Sequence, residues 1–265
     1  MRLWIFDLDG VITDLQLKKI INPNLLPTLS GLLEKGDAVA LNTGRGLPFI
    51  RQQVLSPLRT YLLQHHQPES LLHKFMAVGE KGNAWIKDET DNFDMGTAVP
   101  KDFTQEVKSL VERNFADTMF FDQTKRTMIS LEMHTGLDLD LFAKATSELL
   151  PLLDNLLQKH RLKDSYKLDP TVSAVDIEHL TSGKARGTDR ILRWLDEKGF
   201  TPVHITTFGD SLADLGMGEA LQASGKPFTF VFAGDPIILP STVSFPIIFT
   251  KERYDKGALN FLKTV

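Results

Sequence analysis

The chain has 265 residues, 42% apolar and 24% charged, with a net charge of −4; it can bury a substantial core, and it carries no excess positive charge to favour a polyanionic partner. It has no cysteine, which excludes disulfides, thiolate metal sites and a cysteine nucleophile. No apolar run approaches the ~18 residues of a membrane span, and the Met1-Arg2-Leu3-Trp4-Ile5-Phe6 start runs into Asp7 without the pattern of a secretory leader. A cytoplasmic protein with neither nucleic acid nor membrane as partner is therefore expected.

Residues 3 to 6 read as a buried strand that ends at Asp7. Leu25, Leu26, Leu29, Leu32 and Leu33 recur near the helical period, so a helix over 25–35 is expected, with Gly36 to stop it. A strand over 37–43 follows, then a helix over 48–64 that Pro57 should break or kink, then a short strand over 75–78. After Gly79-Glu80-Lys81-Gly82-Asn83 the texture changes. Residues 107 to 115 read as a helix, 127 to 133 as a half-buried strand, 139 to 160 as a long amphipathic helix interrupted or restarted at Pro151, and 173 to 177 as another strand. That pattern suggests an antiparallel sheet covered by helices. From Gly187 the first texture returns, with helices over 188–198 and 212–223 and strands over 204–208 and 228–233. The expected organisation is an α/β domain with a parallel sheet, built from 1–85 and 182–265, and an α+β domain inserted at 86–181.

Three apolar runs end in residues that carry chemistry. In Phe6-Asp7-Leu8-Asp9-Gly10, two carboxylates two residues apart at a strand tip can divide labour, one attacking or binding metal while the other exchanges a proton. Asp-x-Asp-Gly also describes ordinary turns and calcium loops, so the other two runs matter. In Asn42-Thr43-Gly44-Arg45, a strand-end hydroxyl and glycine-flanked N–H groups suit phosphate oxygens, although Thr43 also suits a helix cap. In Gly209-Asp210-Ser211-Leu212-Ala213-Asp214, two carboxylates flank a strand-to-helix turn and suit a hard cation such as Mg²⁺. Strand ends far apart in sequence converge at the carboxyl edge of an open parallel sheet.

Asp-x-Asp-Gly, then Thr-Gly-Arg, then a basic residue before a helix, then Gly-Asp-Ser-x-x-Asp, in that order, resembles the haloacid dehalogenase superfamily of phosphohydrolases. The motifs lie in residues 2–85 and 183–220, and an insertion between the second and third resembles the subclass with a C2-type cap, which includes sugar-phosphate phosphatases and Cof-like hydrolases. The resemblance implies a Rossmann-like core and a Mg²⁺-dependent phosphatase acting on a small phosphorylated metabolite. It implies Asp7 as nucleophile, Asp9 as acid and base, and Thr43, with Gly44 and Arg45, as holder of the phosphoryl group. It further implies a metal site formed by Asp7, the Asp9 carbonyl and Asp210, with Ser211 and Asp214 in support. The basic position departs from the pattern. Relatives usually carry Lys-Gly, whereas Arg186-Gly187 stands in that register and Lys184 lies two residues earlier; register favours Arg186. A phosphomutase and a non-catalytic phospholigand binder are the alternatives.

Weaker signals are ordinary on their own. His65-His66 point in different directions on a helix and read as surface. Trp85 and Phe93 read as hinge packing, and Lys125, Arg126, Glu132, His134, Lys167 and Asp169 as inserted-domain polar groups, of which a subset would meet a sugar.

Overall fold

The computed structural model describes residues 1–14 and 17–264. In chain order it runs β1 (Leu3–Phe6), α1 (Leu25–Glu34), β2 (Ala38–Asn42), α2 (Leu47–Ile50), α3 (Ser56–Gln64), β3 (Phe75–Gly79), β4 (Ala84–Lys87), β5 (Thr90–Phe93), α4 (Lys101–Asn114), β6 (Met119–Phe121), β7 (Ile129–Met133), α5 (Leu139–Lys159), β8 (Tyr166–Pro170), β9 (Ala174–His179), α6 (Lys184–Lys198), β10 (Ile205–Gly209), α7 (Leu215–Ala223), β11 (Phe228–Phe232), β12 (Ile247–Phe249) and α8 (Tyr254–Leu262). Two compact units result, one from residues 1–92 and 183–265, the other from 93–182.

The first unit is an eight-stranded sheet in the order β12-β11-β10-β1-β2-β3-β4-β5. From β12 to β3 every pairing is parallel, and β4 returns antiparallel to β3. The parallel strands are apolar because helices cover both faces. Leu3, Ile5, Ala40, Val78 and Phe230 pack with Ile191, Trp194, Leu195 and Met217 from α6 and α7. On the other face Phe6 stacks on Phe208 at 4.7 Å, and Phe208 meets the edge of Phe261 from α8. Trp4, whose indole needs a partner when buried, donates Nε1–H to Asp37 Oδ2 at 3.0 Å. The hairpin β4–β5, which spans the expected boundary at 85/86, extends this sheet.

β1 lies at the topological switch point: β2 and β3 are added on one side, β10 to β12 on the other. Phe6 is in register with both Leu41 and Phe208. The residues just beyond these strands, Asp7, Thr43 and Asp210, therefore arrive at one edge of the sheet.

The second unit is a four-stranded antiparallel sheet in the order β6-β7-β9-β8, with α4 and α5 against one face. Ile129, Leu131, Val175, Ile177, Tyr166 and Leu168 point to the helices. The alternate positions Ser130, Glu132, Asp176, Glu178, Lys167 and Asp169 share the opposite face, as the two-residue period requires.

Both prolines expected to disturb helices are accommodated. Arg51–Leu55 form a π-helical segment between α2 and α3, and the Ser56 N–H reaches back five residues to Arg51 O. The wider turn takes up the crowding ahead of Pro57, which has no N–H to donate. The expected interruption at Pro151 is not found: α5 runs unbroken through it. Its buried stripe, Phe142, Ala145, Leu149, Leu153 and Leu157, gains about 1.5–3 kcal/mol for each large side chain, against about 3 kcal/mol for an interior proline.

Candidate active site

Asp7 follows β1 and is buried. Its Oδ1 lies 2.5 Å from Lys184 Nζ, which lies equally close to Asp214 Oδ1 and donates to Asn42 O at 2.8 Å. Of the two candidate cations, Lys184 is the one that meets Asp7. α6 begins at Lys184, four residues before the expected start, so Lys184 stands in its first turn. Asn42 holds that first turn: its Nδ2 donates to Lys184 O at 2.8 Å and to Thr188 Oγ1 at 3.2 Å. Gly187 makes this approach possible, since a Cβ there would sit 2.0 Å from Asn42 Oδ1. The Cβ and Cγ of Arg186 lie beside Gly82, each 2.9 Å from where a Cβ on Gly82 would be.

Asp214 is fully buried. Its Oδ2 accepts hydrogen bonds from the Asp210 N–H at 3.1 Å, the Ser211 N–H at 3.0 Å and the Ser211 hydroxyl at 2.8 Å. Asp214 thereby ties the loop after β10 to Lys184, and Ser211 acts through Asp214. Asp210 approaches from beside β1, and Gly10 makes room for it. Gly10 has φ +79°, and a Cβ on it would stand 2.2 Å from Asp210 Oδ2.

Carboxylate oxygens of Asp7, Asp210 and Asp214 lie within 4.8 Å of one another. Crowding acidic groups in a buried place shifts their protonation. Burial, followed by the Asp214 charge, pushes the Asp7 carboxyl well above the ordinary range, against the pull of Lys184. The same two causes push Asp210 up to about 7. Burial alone would lower the Lys184 ammonium, but the Asp214 and Asp7 charges outweigh it and hold it above the ordinary lysine range. Once all three are ionised, three carboxylates against one ammonium leave two negative charges, and the donors are all hard oxygens. That set fits a divalent cation such as Mg²⁺.

Thr43 Oγ1 accepts a hydrogen bond from the Arg45 N–H at 3.2 Å, so its own hydrogen can be donated to a ligand oxygen. Gly44 lies beside the Lys81 side chain, 3.7 Å from where a Cβ on Gly44 would be. Asp9 is half-buried and pairs with Arg45, Nε to Oδ2 at 2.7 Å. The expected site residues Asp7, Asp9, Thr43, Gly44, Arg45, Lys184, Asp210, Ser211 and Asp214 all belong to the first unit and surround the tips of β1, β2 and β10.

Other expectations resolve locally. Trp85 stacks with Arg190, whose guanidinium carbon is 3.6 Å from the ring centroid, and Phe93 lies under Arg126. His134 pairs with the Ala116 carbonyl at 2.7 Å, an ordinary surface contact. In the second unit, the Lys125 side chain is almost buried, 3.9 Å from Glu132 Oε1 and 3.8 Å from Asp176 Oδ1, and Lys167 pairs with Glu178 at 3.1 Å. Ser130 donates to Asp176. Ser130, Asp176 and Glu178 escaped the sequence reading, although the alternations Ile129-Ser130-Leu131-Glu132 and Val175-Asp176-Ile177-Glu178 signal them.

No family model matches the chain, and no curated protein matches it by sequence. Solved structures do match in fold. The C-terminal domain of Candida albicans trehalose-6-phosphate phosphatase aligns over 99% of this chain and 91% of its own, with TM-score 0.68 and 13% identity. Sucrose-phosphatase from Synechocystis sp. PCC6803, solved with sucrose and phosphate, aligns over 100% and 98%, with TM-score 0.57 and 15% identity. Trehalose-6-phosphate phosphatase from Aspergillus fumigatus aligns over 99% and 91%, with TM-score 0.55 and 17% identity. What these structures share with the chain is the fold, a Rossmann-like α/β core interrupted by a second unit, as the motifs led one to expect. Among the described residues no helix is long and apolar enough to cross a membrane.

Proposed function

We propose that the protein is a Mg²⁺-dependent phosphomonoester hydrolase that works through an aspartyl-phosphate on Asp7 and acts on a sugar phosphate or a similar small polar metabolite. The observation that carries this reading is the convergence of Asp7, Lys184, Asp210 and Asp214, which pairs a buried carboxylate with a fixed ammonium and leaves room in the charge balance for a divalent ion.

Asp7 and Asp210, with the Asp9 carbonyl, would hold Mg²⁺, and Asp214 would keep Asp210 and Lys184 in place. Bound there, the ion supplies positive charge against the phosphoryl oxygens. An Asp7 carboxylate oxygen attacks phosphorus while Thr43 donates to a phosphoryl oxygen and Lys184 offsets negative charge. Asp9 gives a proton to the departing alcohol and then takes one from the water that attacks the phosphorus, which frees Asp7.

The second unit reads as a C2-type cap, residues 86–181 in the sequence-based division. Its sheet face pairs lysines with carboxylates and a hydroxyl, a mixture of fixed donors and acceptors suited to sugar hydroxyls. The structural relatives named trehalose-6-phosphate phosphatase and sucrose-phosphatase favour that substrate class. We propose neither nucleic acid nor membrane as partner, and a cytoplasmic setting. Phosphate release from a panel of sugar phosphates, phosphoglycerates and nucleotides, with Mg²⁺ or EDTA, tests the reading. Mg²⁺-dependent release that Asp7→Asn abolishes supports it, whereas isomerised sugar phosphate without free phosphate indicates a mutase, and binding without turnover a non-catalytic protein.

A further inference from the structure

We infer that Arg45 is a positioning residue for Asp9: it anchors one carboxylate oxygen and leaves the other to exchange the proton, so that it serves the leaving group rather than the phosphoryl group. The inference rests on the phosphatase reading and names how its acid–base carboxylate is aimed.

The two oxygens of Asp9 are held unequally. Oδ2 receives the Arg45 Nε–H at 2.7 Å. Around Oδ1 the contacts are long: Arg45 Nη2 and Thr13 Oγ1 at 3.4 Å, and Lys18 Nζ at 3.9 Å. A short charge-assisted bond on one oxygen fixes the carboxylate plane, and weak contacts on the other let it give and receive a proton. In the first transfer, the Oδ1 proton passes to the leaving oxygen as its bond to phosphorus breaks and the bond from Asp7 to phosphorus forms. In the second, Oδ1 takes a proton from water as the water oxygen bonds to phosphorus and the Asp7 bond breaks.

The guanidinium is itself held in advance. The Arg45 N–H donates to Thr43 Oγ1, its carbonyl accepts from the Glu80 N–H at 3.0 Å, and its guanidinium carbon stands 4.7 Å from the Phe49 ring centroid. The Glu80 contact is made by backbone in an unfavourable region. Glu80 and Lys81 have φ +48° and +52°, at about 1–3 kcal/mol each for residues other than glycine. The Lys81 N–H also reaches the Thr43 carbonyl, at 3.1 Å. Strain is thus concentrated where the tip of β3 braces the segment that carries Arg45.

A planar fork suits this task in a way that an ammonium does not. The test compares kcat/KM of the wild type, Arg45→Met and Arg45→Lys on a sugar phosphate and on p-nitrophenyl phosphate, together with competitive inhibition by inorganic phosphate. The nitrophenolate leaves without a proton, and kcat/KM covers steps only through the first phosphoryl transfer. Both variants should lose about 10²-fold or more on the sugar phosphate, keep the p-nitrophenyl value within about 3-fold, and bind phosphate as before. Equal losses on both substrates with weakened phosphate inhibition, restored by lysine, would overturn the inference while leaving the phosphatase reading intact. A wild type that releases no phosphate from either substrate would remove the reading and the inference together.

Discussion

Lys184 Nζ lies 2.5 Å from Asp7 Oδ1 and 2.5 Å from Asp214 Oδ1, so one ammonium joins the carboxylate after β1 to the carboxylate beyond β10. Removing one member of a buried ion pair strands the other, at a cost of about 3–5 kcal/mol. Lys184→Met should therefore lower unfolding stability by that order at pH 8 and abolish turnover. If Lys184 fills the basic role, Arg186→Met should retain turnover within about 3-fold, since it leaves the Lys184 contacts to Asp7 and Asp214 in place. Urea unfolding and phosphate release on the two variants check this.

The raised protonation of Asp210 has a definite sign. Between the ordinary carboxylate range and about pH 7, the folded protein holds a proton that the unfolded chain has lost. Stability linked to that proton is fully present below the ordinary range and is lost as pH rises through about 7. Burial and the Asp214 charge act on Asp7 in the same direction. In EDTA, Asp210→Asn should therefore gain stability relative to the wild type as pH rises from 5 to 8. Mg²⁺ should raise the wild-type melting temperature at pH 8 and have little effect on the variant.

Gly10 is needed twice, for a left-handed backbone and for the space that the Asp210 carboxylate fills. Gly10→Ala should destabilise the fold by about 1–2 kcal/mol, the cost of a left-handed conformation with a Cβ. It should also reduce turnover far more than that loss of stability accounts for, because Asp210 must move. Thermal melts and steady-state kinetics on one preparation separate the two effects.

Thr43 Oγ1 accepts the Arg45 N–H, and in the proposed mechanism its hydrogen is donated to the substrate. Thr43→Val, with the same shape and no hydroxyl, should lower kcat/KM by about 10–100-fold, as loss of one donor to developing charge does. Thr43→Ser should stay within about 5-fold of the wild type. The contrast between the two variants in phosphate release is the check.

The strand ends were legible because each is a short apolar run, stopped abruptly by Asp7, Thr43 or Asp210, and a parallel sheet buried on both faces leaves little else to read. The choice between Lys184 and Arg186 was not legible. The start of α6 is set by Asn42, 142 positions away, and register alone pointed to Arg186. The same limit applies to Pro151, where a tertiary core outweighs a local breaker. It applies as well to the hairpin β4–β5: β4 is only four residues long and joins the sheet by pairing onto β3, and the polar β5 follows it. Asp176 and Glu178 were visible as alternation, but nothing in the chain says which face of a sheet will be covered.

The most direct measurement is a rapid acid quench of the protein with Mg²⁺ and a ³²P-labelled sugar phosphate that it hydrolyses, followed by mapping of the labelled peptide in the wild type, Asp9→Asn and Asp7→Asn. Label on Asp7, increased in Asp9→Asn and absent from Asp7→Asn, is the expected result. Phosphate release that survives Asp7→Asn, or label on any other residue, would contradict a phosphatase that works through Asp7.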